Sequence, residues 1–132
     1  MIFVDTSFWI AARNRSDSHH AEAGRLHEET LGERLVTTNH VRGETWTYLV
    51  RKAGRRAALD FLDGLERSRR GSVSFVTEDQ EAQALRWLRR HDEREYSFVD
   101  ATSFAVMRSL RIREALAFDG DFSAAGFVEL RV

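Results

Sequence analysis

The sequence predicts an α/β fold in which helices cover both faces of a central, mainly parallel β-sheet. Two short runs, residues 1–4 and 115–118, are apolar without interruption, which is typical of strands buried on both faces of a parallel sheet. Segments with apolar residues at helical spacing separate the predicted strands. This alternation predicts parallel strands, because each intervening helix returns the chain to the edge from which the previous strand started.

The length and composition are those of one globular domain, expected to cover residues 1–132. The chain has 132 residues, 42% of them hydrophobic, enough to bury about two-thirds of the surface of the unfolded chain. It contains no cysteine, which excludes disulfides, thiolate zinc sites and cysteine nucleophiles. No apolar run approaches the roughly 18 residues of a membrane span, and no signal-like segment precedes the first strand. We therefore expect a cytoplasmic protein that does not bind membranes.

Residues 1–67 are predicted to form two strands and four helices. In order, these are a strand over residues 1–4, a helix over 7–14, a helix ending near 31, a strand over 34–37, and helices over 39–54 and 55–67. Ser16 or Ser18 is the expected cap of the second helix, and Asn39 is the expected cap of the third. The residues of the second helix expected to face inward are Ala21, Leu26 and Leu31.

The rest of the chain is predicted to form three strands and two helices. These are a strand over residues 72–76, helices over 77–91 and 97–110, and strands over 114–118 and 127–131. Thr77 is the expected cap of the first of these helices, and Glu78 and Asp79 suit the positive end of its dipole. The last helix places a series of apolar residues at helical spacing, from Phe98 to Met107.

Acidic residues follow two of the predicted strands at the point where each strand ends. Asp5 comes directly after the first strand, and Asp119 comes after the run that ends at Phe118. In open α/β sheets, ligands bind just beyond the carboxyl ends of the strands. Carboxylates gathered there raise one another's pKa unless a cation holds them. The sequence therefore predicts a site for a hard metal ion, Mg²⁺ or Mn²⁺.

Two further acids extend this pattern. Asp100 lies at the start of an apolar helix, and Glu44 lies near the start of the helix that follows the second strand. Taken singly, each acid has another reading: Asp100 as a helix cap, Glu44 as an exposed helical residue, and Asp5 and Asp119 as caps or turn formers. Their order along the chain and their surroundings make the set more informative than any member. A calcium loop starting at Asp119 is excluded, because Ala124 stands where that loop needs glycine.

The basic residues are concentrated in two stretches, although the net charge of the chain is −1. One stretch covers residues 51–70 and the other covers residues 86–94, and nearly all of their cations are arginine. Arginine suits bidentate contacts with phosphate. Solvated helix faces and a polyanionic partner are both compatible with this distribution.

The acidic motifs, in this order, resemble those of PIN-domain ribonucleases, specifically the VapC toxins of type II toxin–antitoxin systems. The matching segments are residues 2–7 (IFVDTS), Glu44, residues 98–101 (FVDA) and residues 118–122 (FDGDF). The resemblance spans essentially the whole chain and implies a three-layer α/β/α fold. Residues 91–100 and 117–127 look especially like mycobacterial VapC toxins that cut the sarcin–ricin loop of 23S ribosomal RNA.

The resemblance implies a metal-dependent endoribonuclease with a four-acid site. Asp5, Glu44, Asp100 and Asp119 would hold one or two Mg²⁺ or Mn²⁺ ions, which activate a water for attack on the phosphate. For Asp121 three roles stay open: an auxiliary ligand, a support for the ligands, or a turn former. The residues expected to contact RNA are Thr6, Ser7, Arg51, Arg55 and Arg56.

The resemblance also implies partners. These are an RNA substrate, with 23S ribosomal RNA expected first and transfer RNA second, a VapB antitoxin that blocks the site, and a second copy of the chain in a homodimer. Two alternatives stay open: an RNA-processing PIN nuclease that is not a toxin, and a non-catalytic phospho-switch or binding module on a similar scaffold.

Overall fold

The computed structural model describes residues 1–132 and contains five strands and seven helices. In chain order these are β1 (Ile2–Val4), α1 (Thr6–Arg13), α2 (His20–Glu29), β2 (Leu35–Thr38), α3 (Asn39–Lys52), α4 (Arg55–Arg67), β3 (Gly71–Ser74), α5 (Glu78–Arg90), α6 (Phe98–Leu110), β4 (Glu114–Leu116), α7 (Asp121–Ala124) and β5 (Val128–Glu129). None of the helices combines the length and apolarity that crossing a membrane requires.

The five strands form one sheet in the order β3-β2-β1-β4-β5, and all neighbouring pairs are parallel. Phe3 is in register with Val36 of β2 on one side and with Ala115 of β4 on the other. The chain first builds outward from β1 through β2 to β3, then returns to place β4 on the opposite side of β1. The strand order therefore reverses between β1 and β4, and a crevice opens at their carboxyl ends, where ligands bind in such sheets.

Alternate residues of β1 belong to different hydrophobic clusters, because successive side chains of a strand point to opposite faces. Phe3 packs with α6 residues such as Phe104, whereas Ile2 and Val4 pack with Phe8 of α1 and with residues of α2. Helices thus cover both faces of the sheet. The predicted α/β class with a parallel sheet is confirmed.

Three local predictions in the first half of the chain were wrong. The N-cap of α3 is Thr38, whose hydroxyl accepts a hydrogen bond from the Val41 amide, while Asn39 accepts one from the distant Val76 amide. Neither Ser16 nor Ser18 caps α2, which begins after His19 without a side-chain cap.

The third error concerns the inward face of α2, for which only Leu26 of the three predicted residues is buried. Ala21 and Leu31 are exposed, and Ala23 and Leu26 are the buried residues of that helix. The three-residue step from Ala23 to Leu26 is the helical spacing that places both side chains on one face.

The C-terminal region differs most from the prediction. The strands predicted over residues 114–118 and 127–131 are shorter, and the one-turn helix α7 between them was not predicted. Gly120 precedes α7 with a φ of 84°, a left-handed conformation that glycine adopts without strain. This turn sends the chain sharply back after Asp119, so that the carboxylates of this segment stay at the edge of the sheet.

Candidate active site

A cleft of about 260 Å³ lies at the carboxyl ends of β1 and β4, where the strand order reverses. Its lining is dominated by oxygen-bearing side chains: Asp5, Thr6, Ser7, Glu44, Tyr48, Glu95, Ser97, Asp100, Asp119 and Asp121, with Ile10 as an apolar neighbour. All five acids expected from the sequence therefore border one cleft, although they come from four separate parts of the chain.

Asp5 is buried at the junction of β1 and α1, with 2% of the residue exposed. It is the N-cap of α1, and its Oδ2 atom accepts hydrogen bonds from the Ser7 amide at 3.1 Å and the Ser7 hydroxyl at 2.7 Å. The same hydroxyl accepts a hydrogen bond from the Phe118 amide, just beyond β4, at 3.0 Å. Because its single hydrogen is donated to Asp5, Ser7 orients that carboxylate and ties the ends of β1 and β4 together.

Asp100 occupies the third position of α6 and takes part in a capping box with Ser97. The Asp100 amide donates to the Ser97 hydroxyl at 2.9 Å, and the Ser97 amide donates to Asp100 Oδ2 at 3.1 Å. Capping and site formation, weighed as alternatives from the sequence, are thus compatible. The cap fixes the rotamer of Asp100 while its other oxygen, Oδ1, stays free.

Asp119 and Asp121 are held on the turn that leads into α7. The Asp121 amide donates to Asp119 Oδ1 at 3.2 Å. Glu129, whose side chain is 3% exposed, accepts hydrogen bonds from the Gly120 and Ser123 amides and pairs with Arg131 at 2.9 Å. The Arg131 guanidinium in turn donates to the Ala117 carbonyl at 2.7 Å. The last strand therefore clamps the turn that carries both acids.

Asp5, Asp100 and Asp119 share one arrangement. Each uses one carboxylate oxygen to hold its own turn, and the other oxygen accepts no hydrogen bond from the protein. None of the three forms a salt bridge. Carboxylate oxygens of Asp100, Asp119 and Asp121 lie within 4.8 Å of one another. Asp5 borders the same cleft but is not part of that group. The cleft thus collects fixed carboxylates with free oxygens, and Asp5, Asp100 and Asp119 have no counter-ion.

The electrostatics of the cleft favour binding of a cation. Burial, followed by the charge of Asp119, raises the pKa of Asp5 to about 8. Burial is also the main cause that raises the pKa of Asp100 to about 7, and it raises the pKa of Asp119 as well. Hard divalent cations prefer such oxygen donors, and they restore the ionised form that burial disfavours. The donor set fits Mg²⁺ or Mn²⁺.

One cation does approach the outer part of this cluster. Arg94, in the loop between α5 and α6, donates a hydrogen bond from Nε to Asp121 Oδ1 at 3.0 Å, and its Nη2 lies 2.9 Å from the same oxygen in a salt bridge. Its Nη2 also donates to the Asp119 carbonyl at 3.3 Å. Asp121 is therefore the only one of the clustered aspartates with a basic partner.

The remaining predicted site residues lie outside the group formed by Asp100, Asp119 and Asp121, and only some of them border the cleft. Glu44 borders the cleft from α3 but does not belong to the group of oxygens within 4.8 Å. Thr6 borders the cleft and is buried, and its hydroxyl accepts a hydrogen bond from Thr45 at 3.4 Å. The predicted RNA-contacting arginines are exposed around the α3–α4 turn and do not line the cleft: Arg51, Arg55 and Arg56.

Tyr48, Arg94 and Glu95 are among the residues that the sequence did not assign to the site, although Arg94 belongs to the second basic stretch. Tyr48 borders the cleft four residues after Glu44, the spacing that puts two side chains on one helix face, so the helical pattern contained a signal for it. Arg94 and Glu95 lie in an irregular loop with no periodicity to indicate their direction. Only the folded chain places them beside acids more than twenty residues away.

Comparisons with known proteins agree with this geometry. The PIN domain model matches residues 2–128. Over 131 residues the chain is 58% identical to the "23S rRNA-specific endonuclease VapC20" of Mycobacterium tuberculosis, in both strain CDC 1551 / Oshkosh and strain ATCC 25618 / H37Rv, covering 99% of this chain and 98% of that protein. The crystal structure of Mycobacterium tuberculosis VapC20, described as a sarcin–ricin loop cleaving toxin, matches with a TM-score of 0.95 and 56% identity over 100% of both chains. The resemblance seen in the motifs is confirmed: this chain belongs to the PIN-domain family, among its VapC nucleases.

Proposed function

We propose that this protein is a metal-dependent endoribonuclease toxin that acts in the cytoplasm on the sarcin–ricin loop of 23S ribosomal RNA. The observation that carries the proposal is the cleft at the reversal of the strand order, where Asp5, Asp100 and Asp119 each present a free carboxylate oxygen without a counter-ion. The 58% identity to VapC20 supports the choice of RNA.

In this proposal, Asp5, Asp100 and Asp119 hold Mg²⁺ or Mn²⁺. The bound ion supplies an activated water and neutralises charge on the scissile phosphate. Ser7 and Ser97 keep Asp5 and Asp100 in fixed rotamers, so the carboxylates need little rearrangement when the ion binds. Glu44 borders the same cleft, and its side chain forms no hydrogen bond or salt bridge with the protein. Its carboxylate is therefore free to accept the proton of the attacking water.

RNA binding would take its affinity from contacts with phosphates and its specificity from the shape of the RNA. The exposed arginines at the α3–α4 turn, Arg51, Arg55 and Arg56, would contact backbone phosphates, which add affinity without reading sequence. Loop shape and unstacked bases would provide specificity, as is usual for proteins that recognise structured RNA. Transfer RNA is the second candidate substrate.

Two protein partners complete the proposal. A VapB antitoxin would cover the acidic cleft and block access of RNA to it. A second copy of the chain would form a homodimer, in which two acidic clefts lie along one groove.

The deciding experiment is cleavage of intact 50S subunits. Purified protein is incubated with the subunits and Mg²⁺, and new RNA 5′ ends are mapped by primer extension. We expect one new end in the sarcin–ricin loop, absent with Asp5→Asn and absent when the metal is chelated. If 23S RNA stays intact while transfer RNA is cut, the ribosomal substrate is rejected and the nuclease activity is kept.

A further inference from the structure

A second cavity, of about 120 Å³, shares no lining residue with the acidic cleft. It lies between α1, the last turn of α4 and the first residues of β2 and β3. Arg13 and Arg70 line it, together with His27 of α2, and no aspartate or glutamate does. Because its charged side chains are of one sign, the cavity favours a ligand that carries negative charge.

The inner wall of this cavity is apolar. Phe8, Leu35 and Val36 line it and are buried, whereas Arg13 and His27 line it and are exposed. The cavity therefore combines a hydrocarbon interior with a basic mouth, the combination that binds a ligand with one apolar end and one polar end. A cavity of about 150 Å³ accommodates one benzene ring, so the ligand that fits here has an apolar part of about that size.

Arg13 reaches the cavity because residue 64 has no side chain. A Cβ atom at Gly64 would lie 2.6 Å from Arg13 Nη2, so the guanidinium rests against the backbone of α4. The Arg13 side chain forms no salt bridge and donates none of the hydrogen bonds made by arginine side chains in this structure. Its charge and its fork of N–H donors are therefore available to an anionic ligand.

Other lining residues add donors that the protein leaves unused. Trp9 lines the cavity, and its Nε1 atom is buried without a hydrogen-bond partner, an arrangement that costs free energy until an acceptor arrives. The Ser68 hydroxyl accepts a hydrogen bond from the Gly71 amide at 3.1 Å, so its own hydrogen is free. Arg70 donates to the Thr30 carbonyl, which fixes its guanidinium at the cavity without neutralising it. The lining thus has an excess of donors over acceptors.

We infer that this cavity binds a small amphipathic carboxylate, with its apolar part against Phe8, Leu35 and Val36 and its carboxylate oxygens accepting hydrogen bonds from Arg13 and the Trp9 indole. The planar carboxylate matches the fork of the guanidinium. The inference does not depend on the proposed function, since no residue of the acidic cleft takes part in this site.

The test follows the Trp9 indole N–H by nuclear magnetic resonance while sodium benzoate is titrated into the protein at constant ionic strength. The chain has three tryptophans, so Trp46 and Trp87 are internal controls, and Trp9→Phe assigns the Trp9 signal. We expect a saturable downfield shift of that signal alone, with a dissociation constant on the order of 1 mM. Benzamide, which lacks the charge, and acetate, which lacks the ring, should each bind at least about tenfold more weakly.

Two variants remove the guanidinium by different routes. Arg13→Gln deletes the charge, and Gly64→Ala displaces the flexible end of Arg13 while giving α4 a residue of higher helix propensity. Both should weaken benzoate binding by about tenfold or more, with circular dichroism unchanged. Arg15→Gln, which removes an exposed arginine that does not line the cavity, is the matched control and should bind benzoate as the wild-type protein does.

Several results would overturn the inference. They are a Trp9 signal that does not respond to benzoate, equal shifts of all three indole signals, and binding of benzamide or acetate as tight as that of benzoate. Unchanged benzoate binding in folded Arg13→Gln and Gly64→Ala would also reject it. Each of these outcomes leaves RNA cleavage at the acidic cleft unaffected, so failure of this site and failure of the proposed function are distinguishable.

Discussion

Asp5 and Asp100 lie in the deep half of the cleft, where 2% and 7% of each residue is exposed, whereas Asp119 and Asp121 lie in its outer half, on the turn before α7. In the deep half, the carboxylates have neutral partners only, the amides and hydroxyls of Ser7 and Ser97, and burial raises the pKa of both acids. In the outer half, a guanidinium lies on Asp121 at 2.9 Å.

The difference shows two ways of holding negative charge at one edge of a sheet. Hydrogen bonds from amides and hydroxyls fix the geometry of the deep acids but do not offset their charge, so these acids depend on a cation from outside. The outer acid has a cation supplied by the chain. We therefore expect the three acids without a counter-ion, Asp5, Asp100 and Asp119, to govern metal binding and catalysis, and Asp121 to contribute less.

The largest expected effect comes from neutralising a deep acid. Asp100→Asn should lower the cleavage rate about 10³-fold or more, since several kcal/mol of charge stabilisation at the phosphate depends on the ion it helps to hold. Asp121→Asn should lower the rate by about tenfold or less. Single-turnover cleavage of 50S subunits measures both rates, and equal losses in the two variants would erase the distinction between the halves.

The metal-free protein should lose stability as the pH rises. The folded-state pKa values of Asp5 and Asp100, about 8 and about 7, lie above the ordinary value of 3.8. In this window the folded state binds more protons than the unfolded state, so the stabilisation is complete below about pH 4 and is lost as the pH approaches 8.

This loss should amount to several kcal/mol between pH 4 and pH 8, because each unit of pKa shift corresponds to about 1.4 kcal/mol. Urea unfolding in the presence of a chelator measures it. Asp5→Asn should flatten the dependence, because the amide does not titrate. An identical slope in the wild-type protein and Asp5→Asn would show that the deep acids are not strained.

Metal should reverse this loss. At pH 8, Mg²⁺ or Mn²⁺ at about 100 times its dissociation constant should stabilise the protein by roughly 2.7 kcal/mol, because it binds the folded state and not the unfolded chain. Differential scanning calorimetry with and without metal gives the shift in Tm. The shift in Tm should vanish in Asp100→Asn and persist in Asp121→Asn. If the shift is lost in both variants, Asp121 binds the same ion as Asp100.

A smaller effect than that of neutralising Asp100 concerns the positioning of Asp5. Ser7→Ala removes the hydroxyl that donates to Asp5 at 2.7 Å and accepts from the Phe118 amide. Because this hydrogen bond lowers the pKa of Asp5, its loss should raise that pKa further and move the acidic limb of the pH–rate profile upward.

The rate should fall about tenfold, the size expected from one hydrogen bond to a charged group. Ser16→Ala, at an exposed position that does not line the cleft, is the matched control and should leave the profile unchanged. A shift of equal size in both variants would exclude the specific role of Ser7.

Local patterns were sufficient for the fold class and for two of the acids that border the cleft. Uninterrupted apolar runs indicated buried parallel strands, and their ends marked Asp5 and Asp119, because strand ends of a parallel sheet share an edge. The capping box of α6 also has a sequence signature in Ser97 and Asp100, three residues apart. Such signals need no knowledge of distant parts of the chain.

Tertiary structure alone decided which groups contact the acids and how deeply each acid is buried. Whether Thr38 or Asn39 caps α3 depended on the Val76 amide, which lies in a different strand region and takes the Asn39 side chain. The one-turn helix α7 was too short to show a period. The pairing of Arg94 with Asp121 joins residues 27 positions apart. Long-range contacts of this kind leave no periodic trace, so burial of Asp5 and Asp100 and compensation of Asp121 arise only when the strands assemble.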